Sequence, residues 1–296
     1  MALTKREKFV LTILKEISKP ISKIKFVKLM FLASDNLLKK GNDPPYSFIP
    51  YKFGPFSFQL YNDLNRLEKK ELICQDEKKI KIMKDIEFNI KNEDFVLLKN
   101  IVREFGDYNE NKILKFVYSK YPQFKKYQEL TENEYFQQTE PILISIGYEG
   151  LSIDDFLCQL VTNEIKKVID VRNNPFSMKY GFSKRALTEI LGNFKIEYHH
   201  FPKLGILSEF RKNLETYEDY QRLFVKYENE LENNTEDLEK LKKLCENNRV
   251  AIMCFEHDPN FCHRTIIIRK LQKWGMKVSD IDLGKKEGTC CSENVS

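Results

Sequence analysis

An eleven-residue stretch near the C-terminus, CFEHDPNFCHR (residues 254–264), brings together thiols, imidazoles, carboxylates and a guanidinium. Thiolates and imidazoles are the ligands that Zn²⁺ prefers, and a thiol beside an imidazole is also an arrangement used in nucleophilic catalysis. A carboxylate can take part in acid–base chemistry, and a helix start can hold a phosphate. The stretch is therefore compatible with a metal site, a thiol site, a nucleotide pocket or an ordinary strand-to-helix connection.

Four side chains of this stretch have the chemistry of zinc ligands, namely Cys254, His257, Cys262 and His263. Their spacing matches no ordinary zinc finger or ribbon. In addition, Cys262 and His263 are predicted to open a helix, in which adjacent side chains diverge by about a quarter turn or more. We therefore expect no metal cofactor, with zinc as the less favoured alternative.

Cys262 and Glu256 are the stronger candidates for catalysis. A helix start lowers the pKa of a thiol through its unpaired amides and the helix dipole, and His263 and Arg264 would add to this effect at Cys262. A carboxylate just past a strand end, such as Glu256, can attack, assist proton transfer or stabilise a sugar cation. The alternatives are a buried apolar thiol at Cys262 and a surface ion pair involving Glu256 or Arg264.

The second half of the chain alternates apolar runs with amphipathic stretches. This pattern predicts an α/β domain with a mostly parallel sheet and helices on both faces. The strands are predicted at residues 142–147, 166–171, 195–200, 249–254 and 277–283. The helices between them are predicted at residues 152–163, 183–193, 208–248 and 263–275.

Polar residues follow several of these strands, and open parallel sheets bind ligands outside the carboxyl ends of their strands. The backbone at Gly147 can approach a phosphate or sugar, or simply form a tight turn. Asp170 can act as a base, hold a ribose hydroxyl or orient Arg172, whose planar fork suits a phosphate or carboxylate. Since Cys254 ends another strand, all these residues are expected at one edge of the sheet.

The first half predicts a mainly helical, winged-helix-like domain. Helical spacing of apolar residues marks residues 6–17, 22–40 and 57–73, with a proline- and glycine-containing break at 41–57. A charged hairpin or wing is predicted within residues 76–100. Two further helical stretches are predicted at residues 92–106 and 111–130, the second broken before Pro122. The predicted domains are residues 1–138 and 139–284, followed by a flexible tail at 285–296.

Composition limits the class of protein. The chain has 296 residues, of which 42% are hydrophobic, and this excludes a wholly disordered chain. Its 49 basic and 44 acidic residues give a net charge of +5, which permits nucleic-acid contact without requiring it. The start, MALTKREKFV, lacks a signal-peptide core, and no apolar run reaches the roughly twenty residues needed to cross a bilayer. We expect a cytoplasmic protein with reduced thiols and no membrane contact.

Residues 142–284 resemble a known family, the domain of unknown function numbered 488. The resemblance rests on SIGYEG, DVRNNP, FSK and MCFEHDPNFCHR, of which the last is the most specific. It implies an α/β sandwich with an active cleft but no settled reaction. The family often carries a histidine after the first glycine, where this chain has Tyr148. If that histidine is a catalytic base, this protein is altered or uses Tyr148 instead.

Residues 1–75 resemble the Panacea (SocA-like) antitoxin domain through KLMFLASD and YKFGPFSFQLYNDLNRLEKKELI. That family is a compact helical domain of toxin–antitoxin and phage-associated proteins. The resemblance implies recognition or neutralisation of a partner.

We therefore expect a two-domain protein of microbial conflict or nucleic-acid metabolism. Its C-terminal cleft would hydrolyse or transfer a base or sugar of a nucleotide-like or phosphorylated ligand, and its N-terminal domain would bind a protein partner or nucleic acid. The alternative is a non-catalytic, antitoxin-like regulator that binds a partner or DNA and senses a ligand. The predicted catalytic residues are Asp170, Glu256, Cys262 and His263, and the predicted ligand-binding residues are Gly147, Tyr148, Arg172, Cys254 and Arg264.

Overall fold

The structure is a computed structural model that describes residues 2–124, 140–212 and 214–283. These residues fall into an N-terminal unit before residue 125 and a C-terminal unit from residue 140 onward. The predicted domain boundary at residues 138 and 139 and the predicted tail at 285–296 lie outside the described residues.

Five helices of the N-terminal unit lie wholly within its described residues, and their apolar stripes form one core. The helix predicted from residue 6 begins one residue earlier, because the Thr4 hydroxyl accepts the N–H of Glu7 and the Glu7 carboxylate accepts the N–H of Thr4. The helices are α1 (Lys5–Ile17), α2 (Lys23–Lys39), α3 (Phe58–Lys69), α4 (Asn92–Phe105) and α5 (Glu110–Lys120).

Short strands accompany these helices. The strands are β1 (Ile21–Ser22), β2 (Ile49–Tyr51), β3 (Gly54–Phe56), β4 (Ile73–Gln75) and β5 (Lys79–Ile82). β1, β5 and β4 form an antiparallel sheet in that order, and β2 pairs with β3 inside the predicted break. The charged hairpin predicted within residues 76–100 is confirmed only in part, because it runs from β4 to the end of β5 at Ile82 and residues 83–91 form no strand. The helix predicted to reach residue 73 ends at Lys69, and Glu71 turns the chain with a φ of 57°.

The C-terminal unit is an α/β domain with a five-stranded sheet in which every neighbouring pair is parallel. This confirms the predicted sheet. The strands, in the spatial order β10-β6-β9-β7-β8, are β6 (Ile142–Gly147), β7 (Lys167–Asp170), β8 (Glu197–His200), β9 (Arg249–Cys254) and β10 (Val278–Leu283).

The helices of this unit follow the predicted alternation with one exception. The region predicted as one helix at 208–248 holds a 3-10 turn at Ser208–Arg211 and two α-helices. The first of these helices starts where Thr216 and Asp219 form a reciprocal cap, and a 3-10 turn at Glu232–Asn234 separates it from the second. The helices are α6 (Ile153–Thr162), α7 (Lys184–Gly192), α8 (Tyr217–Leu231), α9 (Thr235–Cys245) and α10 (Arg264–Lys273).

Both faces of the sheet are buried. On one face, strand residues such as Ile169 and Ile252 share a core with α8, α9 and α10. The residues that alternate with them, such as Val168 and Ala251, are also fully buried. Burial on both faces explains why the strands are continuous apolar runs in the sequence. No helix within the described residues is both long and apolar enough to span a membrane.

The strand order places a crevice above β9 and β7. The chain leaves β7 toward its neighbour β8, but it leaves β9 in the opposite direction, past β6, to reach β10. Adjacent strands whose connections diverge in this way leave a crevice outside their carboxyl ends. The residues that follow Asp170 and Cys254 lie at this position.

Candidate functional site

The reactive residues form two groups at the carboxyl edge of the sheet. The thiol cluster consists of Cys254, Glu256, Cys262 and His263. The arginine cluster consists of Tyr148, Asp170, Arg172 and Tyr198. The two groups are neighbours, because β7 pairs directly with β9 and the N–H of Val171 donates to the carbonyl oxygen of Met253 at 3.2 Å.

In the thiol cluster, one nitrogen, oxygen or sulfur atom from each of four side chains lies within 4.8 Å of the others. The Sγ atoms of Cys254 and Cys262 lie 2.9 Å and 3.2 Å from Oε2 of Glu256. Nδ1 of His263 lies 3.9 Å from Sγ of Cys254. The thiols and the imidazole are buried, whereas Glu256 is only partly buried and forms the solvent side of the cluster.

The backbone between Cys254 and α10 creates this convergence. A 3-10 turn at Pro259–Phe261 reverses the chain, and Cys262 is then extended, with φ −127° and ψ 132°. His263 is the first residue with helical backbone angles, and α10 begins at Arg264. The predicted helical divergence of Cys262 and His263 is therefore wrong, because only one of the two residues has entered the helical conformation.

Backbone and side-chain partners fix the remaining groups of the thiol cluster. Nε2 of His263 lies 3.0 Å from the carbonyl oxygen of Val171, which can only accept, so Nε2 carries the proton. Nδ1 is therefore the ring nitrogen that faces the cluster. Arg211 donates from Nη1 to Oε1 of Glu256 at 2.8 Å, and its Nη2 lies 3.3 Å from Nδ1 of His263.

The pKa values of the two thiols in the cluster shift in opposite directions. Burial alone raises the pKa of Cys254, but the hydrogen bond from Cys262 and the nearby His263 reverse this and lower the pKa well below its ordinary value. Burial, the hydrogen bond to Cys254 and its negative charge all raise the pKa of Cys262. Burial and the charge of Cys254 also raise the pKa of Glu256, against the opposing effect of Arg211. These directions are opposite to the predicted activation of Cys262, since Cys254 is the thiol whose pKa is lowered.

Arg264 was predicted to hold an anion, but in the structure its side chain contacts the protein itself. Its side chain is buried, and Nε donates to Oγ of Ser145 at 2.7 Å. The two terminal nitrogens donate to the backbone carbonyls of Glu256 and His257. Arg264 therefore ties the loop that carries Glu256 to β6, and these contacts do not expose it to a ligand.

The loop that carries Glu256 passes so close to Gly147 that only glycine fits at this position. A Cβ atom at this position would lie 1.9 Å from the carbonyl oxygen of Glu256 and 2.8 Å from Cα of His257. The group that approaches the bare backbone of Gly147 is therefore the chain itself, which differs from the predicted approach of a phosphate or sugar.

In the arginine cluster, Asp170 and Arg172 form a buried pair. Arg172 donates to the Asp170 carboxylate from Nε at 2.9 Å and from Nη2 at 2.6 Å, and Tyr198 donates to the same carboxylate at 2.5 Å. Burial lowers the pKa of Arg172, but the Asp170 hydrogen bonds and charge outweigh it and raise the pKa; burial and Asp170 raise the pKa of Tyr198. Of the three roles considered for Asp170, these contacts match the orientation of Arg172 and not a base in a cleft.

Tyr148 belongs to the core at this edge. Its hydroxyl accepts from Nη1 of Arg172 at 2.7 Å, and its ring stacks on Phe182 with centroids 4.2 Å apart. The side chain is buried. These contacts favour a structural role for Tyr148 over that of a replacement base, and they leave Arg172 without a free fork for a ligand.

A cleft adjoins the thiol cluster, and exposed apolar side chains follow the ends of β7 and β9. Phe176 and Met178 follow β7 and are 71% and 94% exposed, and Phe255 follows β9. A cleft of about 320 Å³ is lined by Asn173, Pro202, Lys203, Gly205, Leu207, Tyr227, Glu230 and Asn234. Tyr227 connects this cleft to the cluster, because its ring meets that of His263 edge to face at 5.5 Å.

Arg211 and Tyr198 were not predicted as parts of the site. Arg211 precedes Glu256 by 45 residues and lies in a 3-10 turn that the charge pattern suggested to be helix. No motif in the sequence marks either residue.

The C-terminal unit is thus an α/β domain with a parallel sheet and a cluster of two thiols, an imidazole and a carboxylate at the carboxyl edge. Residues 152–271 match the model of a protein family described as Domain of unknown function DUF488. This confirms the predicted resemblance for the larger part of the unit, although Gly147 and Tyr148 precede the matched residues. No curated protein and no solved structure matches the chain. The resemblance of residues 1–75 to the Panacea domain stays a prediction.

Proposed function

We propose that the C-terminal unit is an enzyme domain, a hydrolase or transferase, that acts on a nucleotide-like or phosphorylated ligand at the thiol cluster. The main observation behind this proposal is that Cys254, Glu256, Cys262 and His263 come within 4.8 Å of one another at the crevice above β9 and β7. Polar and titratable groups that gather at such a crevice are typical of active sites.

Glu256 is the group that meets the substrate. It lies on the open side of the cluster, and its side chain is 21% exposed beside that of Arg211, which is 31% exposed. A carboxylate held in this way can accept or donate a proton, or stabilise a cationic sugar transition state. Cys262 and His263 shape its surroundings together with Cys254. Asp170 is assigned no direct catalytic role, since it is buried and bound by Arg172 and Tyr198.

The surroundings of the cluster favour an anionic ligand with a flat ring. Arg211 and Lys203 supply positive charge near Glu256 and in the adjoining cleft. Exposed aromatic rings at Phe176 and Phe255 offer surfaces on which a base can stack. A cleft of about 320 Å³ has the size of a small-molecule site.

Turnover of a defined set of ligands tests this proposal. The full chain is incubated with nucleosides, nucleoside phosphates and dinucleotide cofactors, and released base, sugar or phosphate is separated chromatographically. Glu256→Gln should lower the rate by about 100-fold or more. Glu246→Gln, an exposed glutamate outside the site, should leave the rate unchanged. Absence of turnover for every ligand, or equal rates for Glu256→Gln and the unaltered chain, would contradict the proposal.

We also propose that the N-terminal unit is winged-helix-like and recognises nucleic acid or a partner protein. The order α1, β1, α2, α3, β4, β5 and the sheet order β1-β5-β4 support this assignment. The β4–β5 hairpin exposes Lys78, Lys79 and Lys81, while Ile80 is buried beneath them. A basic hairpin of this kind can lie against phosphates.

A duplex DNA binding assay distinguishes a nucleic-acid partner from a protein partner. Lys79→Glu combined with Lys81→Glu should weaken binding several-fold and reduce its dependence on salt. A control with Lys99→Glu and Lys112→Glu makes the same change of charge on α4 and α5. DNA binding that does not fall with added salt would exclude nucleic acid as the partner. Binding of a protein partner, with no turnover at the C-terminal unit, would favour the antitoxin-like regulator.

A further inference from the structure

We infer that the thiol cluster binds one Zn²⁺, with Sγ of Cys254, Sγ of Cys262, Nδ1 of His263 and the carboxylate of Glu256 as its ligands. The inference goes beyond the proposed enzyme function, because it concerns only what these side chains bind. It also replaces our expectation of no metal. The zinc ligands considered from the sequence included His257, and the present set has Glu256 in its place.

The spacing of the four side chains fits one tetrahedral ion. Zn²⁺ lies about 2.3 Å from sulfur and about 2.0–2.1 Å from nitrogen or oxygen, so the ligand atoms of a tetrahedral site are roughly 3.3–3.8 Å apart. In the structure, Oε2 of Glu256 lies 2.9 Å and 3.2 Å from the two Sγ atoms, and Nδ1 of His263 lies 3.9 Å from Sγ of Cys254. The other ligand atoms lie within 4.8 Å of one another, so shifts of up to about an ångström would complete the tetrahedron.

The types of ligand select the metal. Two thiolates and an imidazole suit Zn²⁺, whereas Mg²⁺ and Ca²⁺ are bound by oxygen atoms. Only one of the four groups, Glu256, offers oxygen. With all four ligands bound the site is closed, as structural zinc sites are. When Glu256 leaves the ion to meet a substrate, two thiolates and one imidazole remain with an open position, which is the ligand set of a catalytic zinc site.

The imidazole is already oriented as a ligand. A metal-binding histidine usually donates its second ring N–H to a carbonyl or carboxylate, which fixes the tautomer and the ring plane. His263 does this through Nε2 and the carbonyl oxygen of Val171, at 3.0 Å. Its Nδ1 faces Sγ of Cys254 at 3.9 Å, so the ring itself needs no rearrangement. Nη2 of Arg211, 3.3 Å from Nδ1, would have to move away to admit the ion.

The charges around the cluster also fit a divalent cation. Two thiolates and a carboxylate carry three negative charges, so bound Zn²⁺ leaves a net charge of about −1. The guanidinium of Arg211, 2.8 Å from Oε1 of Glu256, offsets this charge. Cys254, Cys262 and His263 are at most 1% exposed, and Glu256 lies toward solvent. The ion would enter and leave on the Glu256 side.

Metal analysis of the full chain, kept reduced, tests the inference. The protein is stripped with a chelator, titrated with Zn²⁺ and dialysed, and we expect one zinc per chain. Cys254→Ser combined with Cys262→Ser should weaken zinc binding by at least about 100-fold. Glu256→Ala should retain zinc at lower affinity, because three buried ligands remain. Cys74→Ser combined with Cys245→Ser, which removes two free cysteines outside the cluster, should bind zinc normally.

Cobalt substitution provides a second measurement that needs no variant. Co²⁺ bound to the unaltered chain should show the thiolate charge-transfer band and the intense visible bands of a tetrahedral sulfur-containing site. Failure to bind either ion, or zinc that persists in the double cysteine variant of the cluster, would overturn the inference. Neither measurement involves a substrate, so zinc binding without turnover would refute the enzyme proposal alone, and turnover without zinc would refute this inference alone.

Discussion

His263 and Val171 link two adjacent parallel strands where their chains diverge. Nε2 of His263, the residue that precedes α10, donates to the carbonyl oxygen of Val171, which follows β7, at 3.0 Å. This hydrogen bond holds the imidazole over the end of the sheet and points Nδ1 at the thiols. The position of the thiol cluster thus depends on backbone geometry as well as on the side chains that form it.

Gly147→Ala should displace the loop that carries Glu256. Its Cβ would lie 1.9 Å from the Glu256 carbonyl oxygen, a backbone atom that cannot rotate away. We expect a loss of roughly 2–3 kcal/mol in the free energy of unfolding, as for overpacking of a core, and loss of zinc binding. Denaturant titration and metal analysis measure the two effects.

Gly192→Ala is the matched control, because a Cβ at this position has no heavy atom within 4 Å. Gly192 is the last residue of α7, so alanine should leave the stability unchanged or raise it by up to about 1 kcal/mol. Equal stability of the two variants would show that the loop does not lie against Gly147.

Asp170→Ala should destabilise the C-terminal unit strongly. The substitution leaves the buried guanidinium of Arg172 without its carboxylate, and breaking a buried pair costs about 3–5 kcal/mol. Asp258→Ala removes an exposed aspartate and should cost much less, since its side chain only caps a short turn. A stable Asp170→Ala protein without turnover would instead assign Asp170 a direct catalytic role.

Much of the C-terminal fold could be predicted because both faces of its sheet are buried. β6 and β9 are predominantly apolar runs, and their bounds match the sequence pattern to the residue. The pairing of Asp170 with Arg172 was also within reach of sequence reasoning, because the two residues are two positions apart at one strand end. The convergence of the site residues at the carboxyl edge was predicted from the topology of the parallel sheet.

The contacts inside the site could not be predicted in the same way. Whether Cys262 and His263 point together depends on the residue at which α10 begins, and a shift of one residue changes the result. The partner of Glu256, Arg211, comes from an irregular segment 45 residues away. Gly147 looked available to a ligand because the sequence does not reveal that the loop after β9 crosses it.

Lys28 should give the N-terminal unit a measurable pH dependence. Burial lowers the pKa of its amine from 10.5 to about 7, and Nζ donates to the Pro55 carbonyl oxygen at 2.9 Å. Below pH 7 the amine is charged in both states, and the cost of burying the charge is fully present. Between pH 7 and 10.5 the folded state loses the proton while the unfolded state retains it, so this group makes the free energy of unfolding rise with pH.

Lys28→Met isolates this effect. The free energy of unfolding of the unaltered chain, minus that of the variant, should increase by on the order of 4 kcal/mol from pH 7 to 10. Denaturant titrations at several pH values measure it, and Lys99→Met provides an exposed control. A difference that stays constant with pH would mean that the amine remains charged in the folded protein.

Zinc removal should lower the thermal stability of the C-terminal unit. The ligands connect the end of β9 to the start of α10, so an ion that binds only the folded state stabilises it. Free zinc at 100 times its dissociation constant contributes about 2.7 kcal/mol. The melting temperature should therefore fall on chelation and recover with added zinc. The same treatment should have no effect when Cys254 and Cys262 are both serine.

X-ray absorption at the zinc edge tests the central claim, that Cys254, Glu256, Cys262 and His263 form one site. For the full chain loaded with one equivalent of zinc, the account predicts two sulfur atoms at about 2.3 Å and two nitrogen or oxygen atoms at about 2.0–2.1 Å. Replacement of Cys262 by serine should remove one sulfur atom from this shell. A shell without sulfur, or one that is unchanged by the replacement, would contradict the account.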